Sequence, residues 1–123
     1  MSTVELTNDT FEKTVLDNDI VLVDFWATWC GPCRQFAPVF DDASQKNTDI
    51  VFGKVDTDAQ MQLAQAAQIS SIPTLMAFRD GIAVFRQAGA LPSSALEDLI
   101  RQIRELDMDK VRADIAAQDA TKA

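Results

Sequence analysis

From Ile20 to Ala27 the chain reads IVLVDFWA, apolar at both odd and even positions and broken once by an acid, Asp24. Alternate residues of a strand point to opposite faces of a sheet, so this run predicts a strand covered on both sides. Upstream, Val4 to Leu6 alternate weakly and predict a short strand. Between the two, TNDTFEKTVLD (7–17) places Phe11, Val15 and Leu16 on one helical face, with Asp9 and Glu12 at capping-box spacing. Helical spacing resumes at Pro32: Phe36, Val39, Phe40 and Ala43 stand at i, i+3, i+4 and i+7, and Pro38 inside the run predicts a kink. Ile50 to Asp56 predict a further strand, and AQMQLAQAAQ (59–68) a short Ala-rich helix. PTLMAFRDGIAVFRQAG (73–89) reads as two strands around a tight turn at Asp80-Gly81. Ser94 with Glu97 offers a capping box for a last helix, whose buried face takes Leu96, Leu99, Ile100, Ile103 and Leu106. The order is β-α-β-α-β-α-β-β-α. Strands alternating with helices imply parallel pairing, and the terminal hairpin makes the sheet mixed: an α/β fold.

A chain of 123 residues suits one domain with a core of its own. The pattern places that domain at 1–106. Residues 107–123 form a charged, Ala-rich extension, helical or disordered, in which Val111 and Ile115 allow a small helix without a convincing apolar stripe. The formal net charge of −8 argues against nucleic acid, whose phosphates attract Lys and Arg, and against an anionic membrane surface. MSTVELTND carries no basic region followed by an apolar one. The run Ile20–Val23 stops at Asp24, far short of a membrane span. These features predict a cytoplasmic protein, in a compartment that keeps thiols reduced.

Chemistry concentrates in FWATWCGPCRQF (25–36), which holds the only two cysteines, Cys30 and Cys33, and both tryptophans, Trp26 and Trp29. Zinc needs two more Cys or His ligands, and the chain has no histidine and no third cysteine. Two copies pooling their cysteines around a shared metal remains an alternative. A purely structural disulfide closing so short a loop would contribute roughly 2 kcal/mol, against about 4.7 for a hundred-residue loop. Dithiol–disulfide exchange fits better. Cys30 just before a helix has its thiolate stabilised by free N–H groups and the positive helix end, and Cys33 in the first turn is close enough to close a ring. Pro32 is tolerated there because no N–H is needed. This assigns Cys30 as nucleophile and Cys33 as the resolving, more buried thiol. Without histidine, a Cys-His hydrolase is excluded. Asp24 stands where a doubly buried strand should be apolar. Burial without a cation would raise its pKa, and Lys54 in the next strand is the nearest cation candidate. The alternative is an Asp24 at a strand edge, facing solvent.

Taken in order, VDFWATWCGPCRQFAP (23–38), KVDTD (54–58), SIPTLMAF (71–78), Asp80-Gly81 and AGAL (88–91) resemble thioredoxin at the family's spacing, over about residues 4 to 106. The resemblance implies a thioredoxin fold, a central mixed sheet flanked by helices on both faces. It implies a cis Ile72-Pro73 peptide beside the cysteines, leaving the Ile72 backbone to pair with an extended substrate segment. It makes Trp29, Gly31, Pro32, Ile72, Gly89 and Ala90 an apolar docking surface, and Asp24 the buried acid/base that takes the Cys33 proton, modulated by Lys54. It implies a general protein-disulfide reductase with no bound cofactor, a monomer, recharged by an NADPH-dependent flavoprotein thioredoxin reductase and acting on target proteins with disulfides. Two positions depart from the family pattern and a third keeps it. Ala67 stands where many members carry an aromatic, and Thr28 where the residue is often acidic; Arg34 keeps the usual cation, either steering acidic partners or simply solvated. Two other classes stay open: a thioredoxin-fold binding subunit whose thiols are incidental, and a specialised oxidant or isomerase. Gly31-Pro32 between the cysteines, Asp24 and the lack of a leader favour reduction.

Overall fold

The strand that is apolar on both parities lies at the middle of the sheet. In the computed structural model, which describes residues 2–121, β2 (Ile20–Trp26) is flanked by β3 (Val51–Asp56) on one side and β4 (Thr74–Arg79) on the other. β1 (Thr3–Glu5) and β5 (Ile82–Ala88) are the edges, giving the order β1-β3-β2-β4-β5. β1, β3 and β2 run parallel, and β4 and β5 are antiparallel, so the sheet is mixed as the pattern predicts. Met1, Lys122 and Ala123, within the predicted domain and extension, lie outside the described residues.

Alternation along β2 sorts the core into two layers. Ile20 and Leu22 join Phe36, Phe40 and Ala43 of α2 (Gly31–Lys46) and Leu96, Ile100 and Ile103 of α4 (Ser93–Arg104). Val21, Val23 and Phe25 pack instead with Val15 and Phe11 of α1 (Phe11–Asp17) and Leu63 of α3 (Met61–Ala66). Asp24 shares the parity of Ile20 and Leu22, which directs it to the α2 side. Lys54, its register partner on β3, shares the parity of Phe52 and lies on that side too.

The turn at Asp80-Gly81 forms as predicted. Both residues have positive φ (53° and 79°), the pair of conformations a two-residue type I′ hairpin requires. At Gly53 the backbone admits no side chain, because a Cβ there would fall on the buried Leu6.

Four expectations change. Leu16 is 62 % exposed, because it lies about 100° around α1 from Val15, which takes the sheet-facing position. The Asp9–Glu12 capping box does not form: Thr10 is the N-cap, and its Oγ1 accepts from the Thr7 N–H at 3.0 Å. The Ser94–Glu97 box fails likewise, since the N-cap of α4 is Pro92, two residues before Ser94. Leu106 lies beyond the end of α4 and is half-buried. The helix α2 continues through Pro38 to Lys46.

The extension is a helix, α5 (Met108–Thr121), and it is tied down at its start. Met108 is buried, and Arg112 reaches Asp80 of the hairpin at 3.5 Å. Arg79 donates to the carbonyls of Ile103, Arg104 and Leu106 at 2.8, 3.2 and 2.9 Å, closing the C-terminus of α4 just before α5. Among the described residues, no helix is long and apolar enough to cross a membrane.

Candidate functional site

β2 delivers the chain to Ala27, and the loop Thr28–Trp29 leads straight into α2. Cys30 is the N-cap of that helix, held by its N–H on the Ala27 carbonyl at 3.2 Å. Its Sγ accepts the Cys33 N–H at 3.2 Å, so the sulfur occupies the place a Ser or Asp oxygen takes in an ordinary N-cap. Pro32 sits in the first turn, where its missing N–H leaves no gap. Cys30 and Cys33 are joined as a disulfide. Both are buried, at 4 % and 3 % exposure, so the expected contrast in burial is absent from this oxidised form. Closing the ring packs both sulfurs against Ala27, with Trp26 and Ile72 alongside.

The Ile72-Pro73 peptide is cis, and the Ile72 carbonyl oxygen lies 3.6 Å from Cys30 Sγ. The Gly89 N–H donates to the Pro73 carbonyl at 2.8 Å, which brings the end of β5 to the same place. Gly31, Pro32, Gly89 and Ala90 are exposed and Ile72 is partly so. Trp29 is 65 % exposed, yet its indole N–H is fixed on Asp58 Oδ2 at 3.0 Å. A cavity of about 340 Å³ opens beside it, lined by Trp29, Thr57, Ala64, Ile69, Ser71 and Ile72 among others. Arg34 and Thr28 are exposed, and Ala67 packs partly buried under the α1–α3 layer.

Asp24 has no exposed surface, and neither carboxyl oxygen has a hydrogen-bond partner among the described residues. Burial pushes its pKa from 3.8 up to about 7, with the Lys54 ammonium opposing the rise. Lys54 is a neighbour and not a bonded partner: its Nζ lies over the Trp26 ring, 4.8 Å from the centroid. It also lines a cavity of about 240 Å³ with Thr3, Ala37, Pro38 and Asp41. The strand-edge alternative for Asp24 is thereby excluded.

Two features escaped the sequence pattern. Asp58 anchors Trp29, and the only signal was its place in KVDTD, where it reads as an ordinary turn acid. Asp41 Oδ1 is buried beside the Lys54 cavity and has no hydrogen-bond partner among the described residues. Among the described residues, no cluster of three or more His, Cys, Asp or Glu side chains is arranged to hold a metal ion.

The family model described as Thioredoxin matches residues 2–102. A protein of Streptomyces coelicolor named putative thioredoxin 2 is 62 % identical over 119 residues, covering 97 % of this chain and 89 % of that one. A thioredoxin of Mycobacterium tuberculosis is 45 % identical over 97 residues, covering 77 % of this chain and 84 % of its own length. Among solved structures, a mutant thioredoxin from Halobacterium salinarum superposes with a TM-score of 0.77 at 36 % identity, over 85 % of this chain and 91 % of that one. A thioredoxin structure from Plasmodium falciparum superposes with a TM-score of 0.75 at 35 % identity, over 81 % and 97 %.

Proposed function

This chain belongs to the thioredoxin family and is a protein-disulfide oxidoreductase, and we propose how its side chains divide the work of reducing target disulfides. The observation that carries the reading is the seat of Cys30. Its sulfur caps α2 and accepts the Cys33 N–H, so the helix end that holds the disulfide also stabilises a thiolate once it opens.

The cycle begins from the dithiol. The Cys30 thiolate attacks one sulfur of a target disulfide; the other target sulfur leaves as a thiolate and takes a proton. The Cys33 thiol then loses its proton and attacks Cys30 Sγ. The second target sulfur departs, and Cys30–Cys33 closes as the disulfide described above. Two electrons pass from the protein to the target. Asp24 is the group that accepts the Cys33 proton: a carboxyl with a pKa near 7 is matched to that task at neutral pH, and Lys54 tunes it. Trp29, Gly31, Pro32, Ile72, Gly89 and Ala90 surround the cysteines and receive the target segment, and Pro73 sets the Ile72 carbonyl against Cys30.

Family membership implies a thioredoxin reductase and disulfide-bearing targets as partners. We take the reductase to be an NADPH-dependent flavoprotein, and this chain to act as a cytoplasmic monomer with no cofactor of its own. One structural neighbour comes from work on thiol resolution in a yeast mitochondrial 1-Cys peroxiredoxin via glutathione/thioredoxin systems, which makes peroxide-oxidised thiols one class of target to try.

The test is turnover. Catalytic amounts of the protein are added to insulin and excess dithiothreitol, with Cys30→Ser and dithiothreitol alone as controls. The expected result is acceleration by the parent and none by Cys30→Ser. A Cys33→Ser variant should stall as a mixed disulfide, visible as a covalent adduct. Folded parent protein that gives no acceleration would overturn the reading.

A further inference from the structure

We propose that Arg86 is a positioning residue for disulfide exchange: its guanidinium holds the turn from which residues 69–72 are presented to Cys30. The proposal rests on the reading of Cys30–Cys33 as a protein-disulfide reductase, and it concerns how that site meets large substrates.

The segment that faces Cys30 begins at the end of α3. That helix has six residues, too few to be stable alone, so its closure decides where the following chain goes. It closes by a Schellman pair: Ile69 N–H donates to the Ala64 carbonyl and Gln68 N–H to the Gln65 carbonyl, each at 3.0 Å. The residue between the helix cap and Ile69 must be left-handed. Glycine usually fills that place, yet here it is Gln68, at φ 58°. A side chain makes this conformation costly, so the turn needs support from outside.

Arg86 on β5 supplies it. One guanidinium nitrogen donates to the Ala67 carbonyl at 2.5 Å and another to the Gln68 carbonyl. Neither of these carbonyls is used by the Schellman pair, whose acceptors are Ala64 and Gln65. The same side chain lies 3.8 Å from Met76 Sδ, and Arg86 is the register partner of Met76 on β4. The downstream end of the segment is fastened to the same edge strand, through Gly89 N–H on the Pro73 carbonyl and the Thr74–Ala88 pair. Residues 69–72 are therefore a bracket with both ends on β5, and Arg86 is its upstream fixing. What the bracket carries is one wall of the cavity beside Trp29 and the Ile72 carbonyl 3.6 Å from Cys30 Sγ.

A protein substrate must meet Cys30 and the bracket together, whereas a small disulfide needs only the sulfur. Loosening the upstream end should thus weaken docking of proteins and leave the chemical step alone. Arg86→Ala and Arg86→Lys are compared with the parent in steady-state reduction of insulin and of oxidised glutathione. For Arg86→Ala, KM for insulin should rise about three- to ten-fold with kcat nearly unchanged, the range expected for losing partly solvated, charge-assisted hydrogen bonds. The rate with oxidised glutathione should stay at the parent value. Arg86→Lys, which keeps the cation and loses the fork, should recover part of the loss. Amide hydrogen exchange should quicken at 68–72 in Arg86→Ala and stay unchanged in α4. The proposal is overturned by an unchanged KM for insulin, by equal losses with both disulfides, or by unchanged exchange at 68–72. A parent protein inactive on both disulfides would overturn the reductase reading itself, a result distinct from any of these.

Discussion

A carboxyl with no exposed surface and no hydrogen-bond partner is far easier to bury neutral than charged, and among the described residues Asp24 is such a group. Its pKa is about 7 in the folded protein and near 3.8 when solvated. As pH rises the unfolded chain gives up this proton first, so the stability present below pH 3.8 is progressively lost as pH climbs through about 7. At 1.36 kcal/mol per pH unit the loss is on the order of 4 kcal/mol by pH 8. Asp24→Asn removes the titration. Urea melts should show that variant more stable than the parent, with an advantage that grows by roughly 2–3 kcal/mol between pH 5 and pH 8. An advantage independent of pH would mean that Asp24 does not titrate in this window. If Asp24 also takes the Cys33 proton, insulin turnover by Asp24→Asn should fall roughly ten-fold at pH 7. Sequence pattern could mark Asp24, because a lone acid in IVLVDFWA contradicts the apolar run around it. It could not show that Lys54 turns to the Trp26 ring, since that choice depends on the packing of β3 against β2.

At the scale of elements, periodicity located the strands and long helices because each must bury a face. Val21 and Leu22 are both fully buried, on opposite sides of β2, which is what two apolar parities mean. Local signals fared worse where a neighbouring element overruled them. Thr10 caps α1 in place of Asp9, and Leu16, apolar and at plausible spacing, points to solvent because the helix is short and Val15 already fills the sheet side. The support of Arg86 for the α3 turn was illegible, since residues 67 and 86 meet only once β5 is folded beside β4. Gly53 gave no signal in the sequence pattern either. Its Cα faces the buried Leu6, so Gly53→Ala should force Leu6 to move and cost about 1–3 kcal/mol, as overpacking does. Denaturant midpoints for Gly53→Ala and for the pair Gly53→Ala with Leu6→Ala would check this: the second change should recover part of the first if the clash with Leu6 is the cause.

Over the whole molecule the chemistry and the extension sit at opposite ends of β4. Thr74 follows Pro73 at the redox site, whereas Arg79 grips the end of α4 and leads to the hairpin that meets α5. Six residues of strand separate them by roughly 17–20 Å. The segment after Leu106 was legible as an extension and not as a docked helix, because its apolar residues form no stripe and the anchors at its start include a single methionine, Met108, and a single arginine, Arg112. Burial of Met108 should be worth about 1.5–3 kcal/mol, and the half-exposed Arg112–Asp80 pair at most about 1 kcal/mol. Ending the chain at Asp107 should therefore lower stability by roughly 2 kcal/mol and shift the thermal midpoint down by several degrees. Turnover of insulin at 25 °C should stay within about two-fold of the parent, since 2 kcal/mol is small against the ordinary stability of such a domain and the Arg112–Asp80 anchor of α5 lies at the hairpin, past the end of β4 that is remote from Pro73. A shortened chain with intact melting but impaired turnover would place the extension in target or reductase binding. The Streptomyces relative, aligned over 97 % of this chain, would then be the protein in which to repeat the deletion.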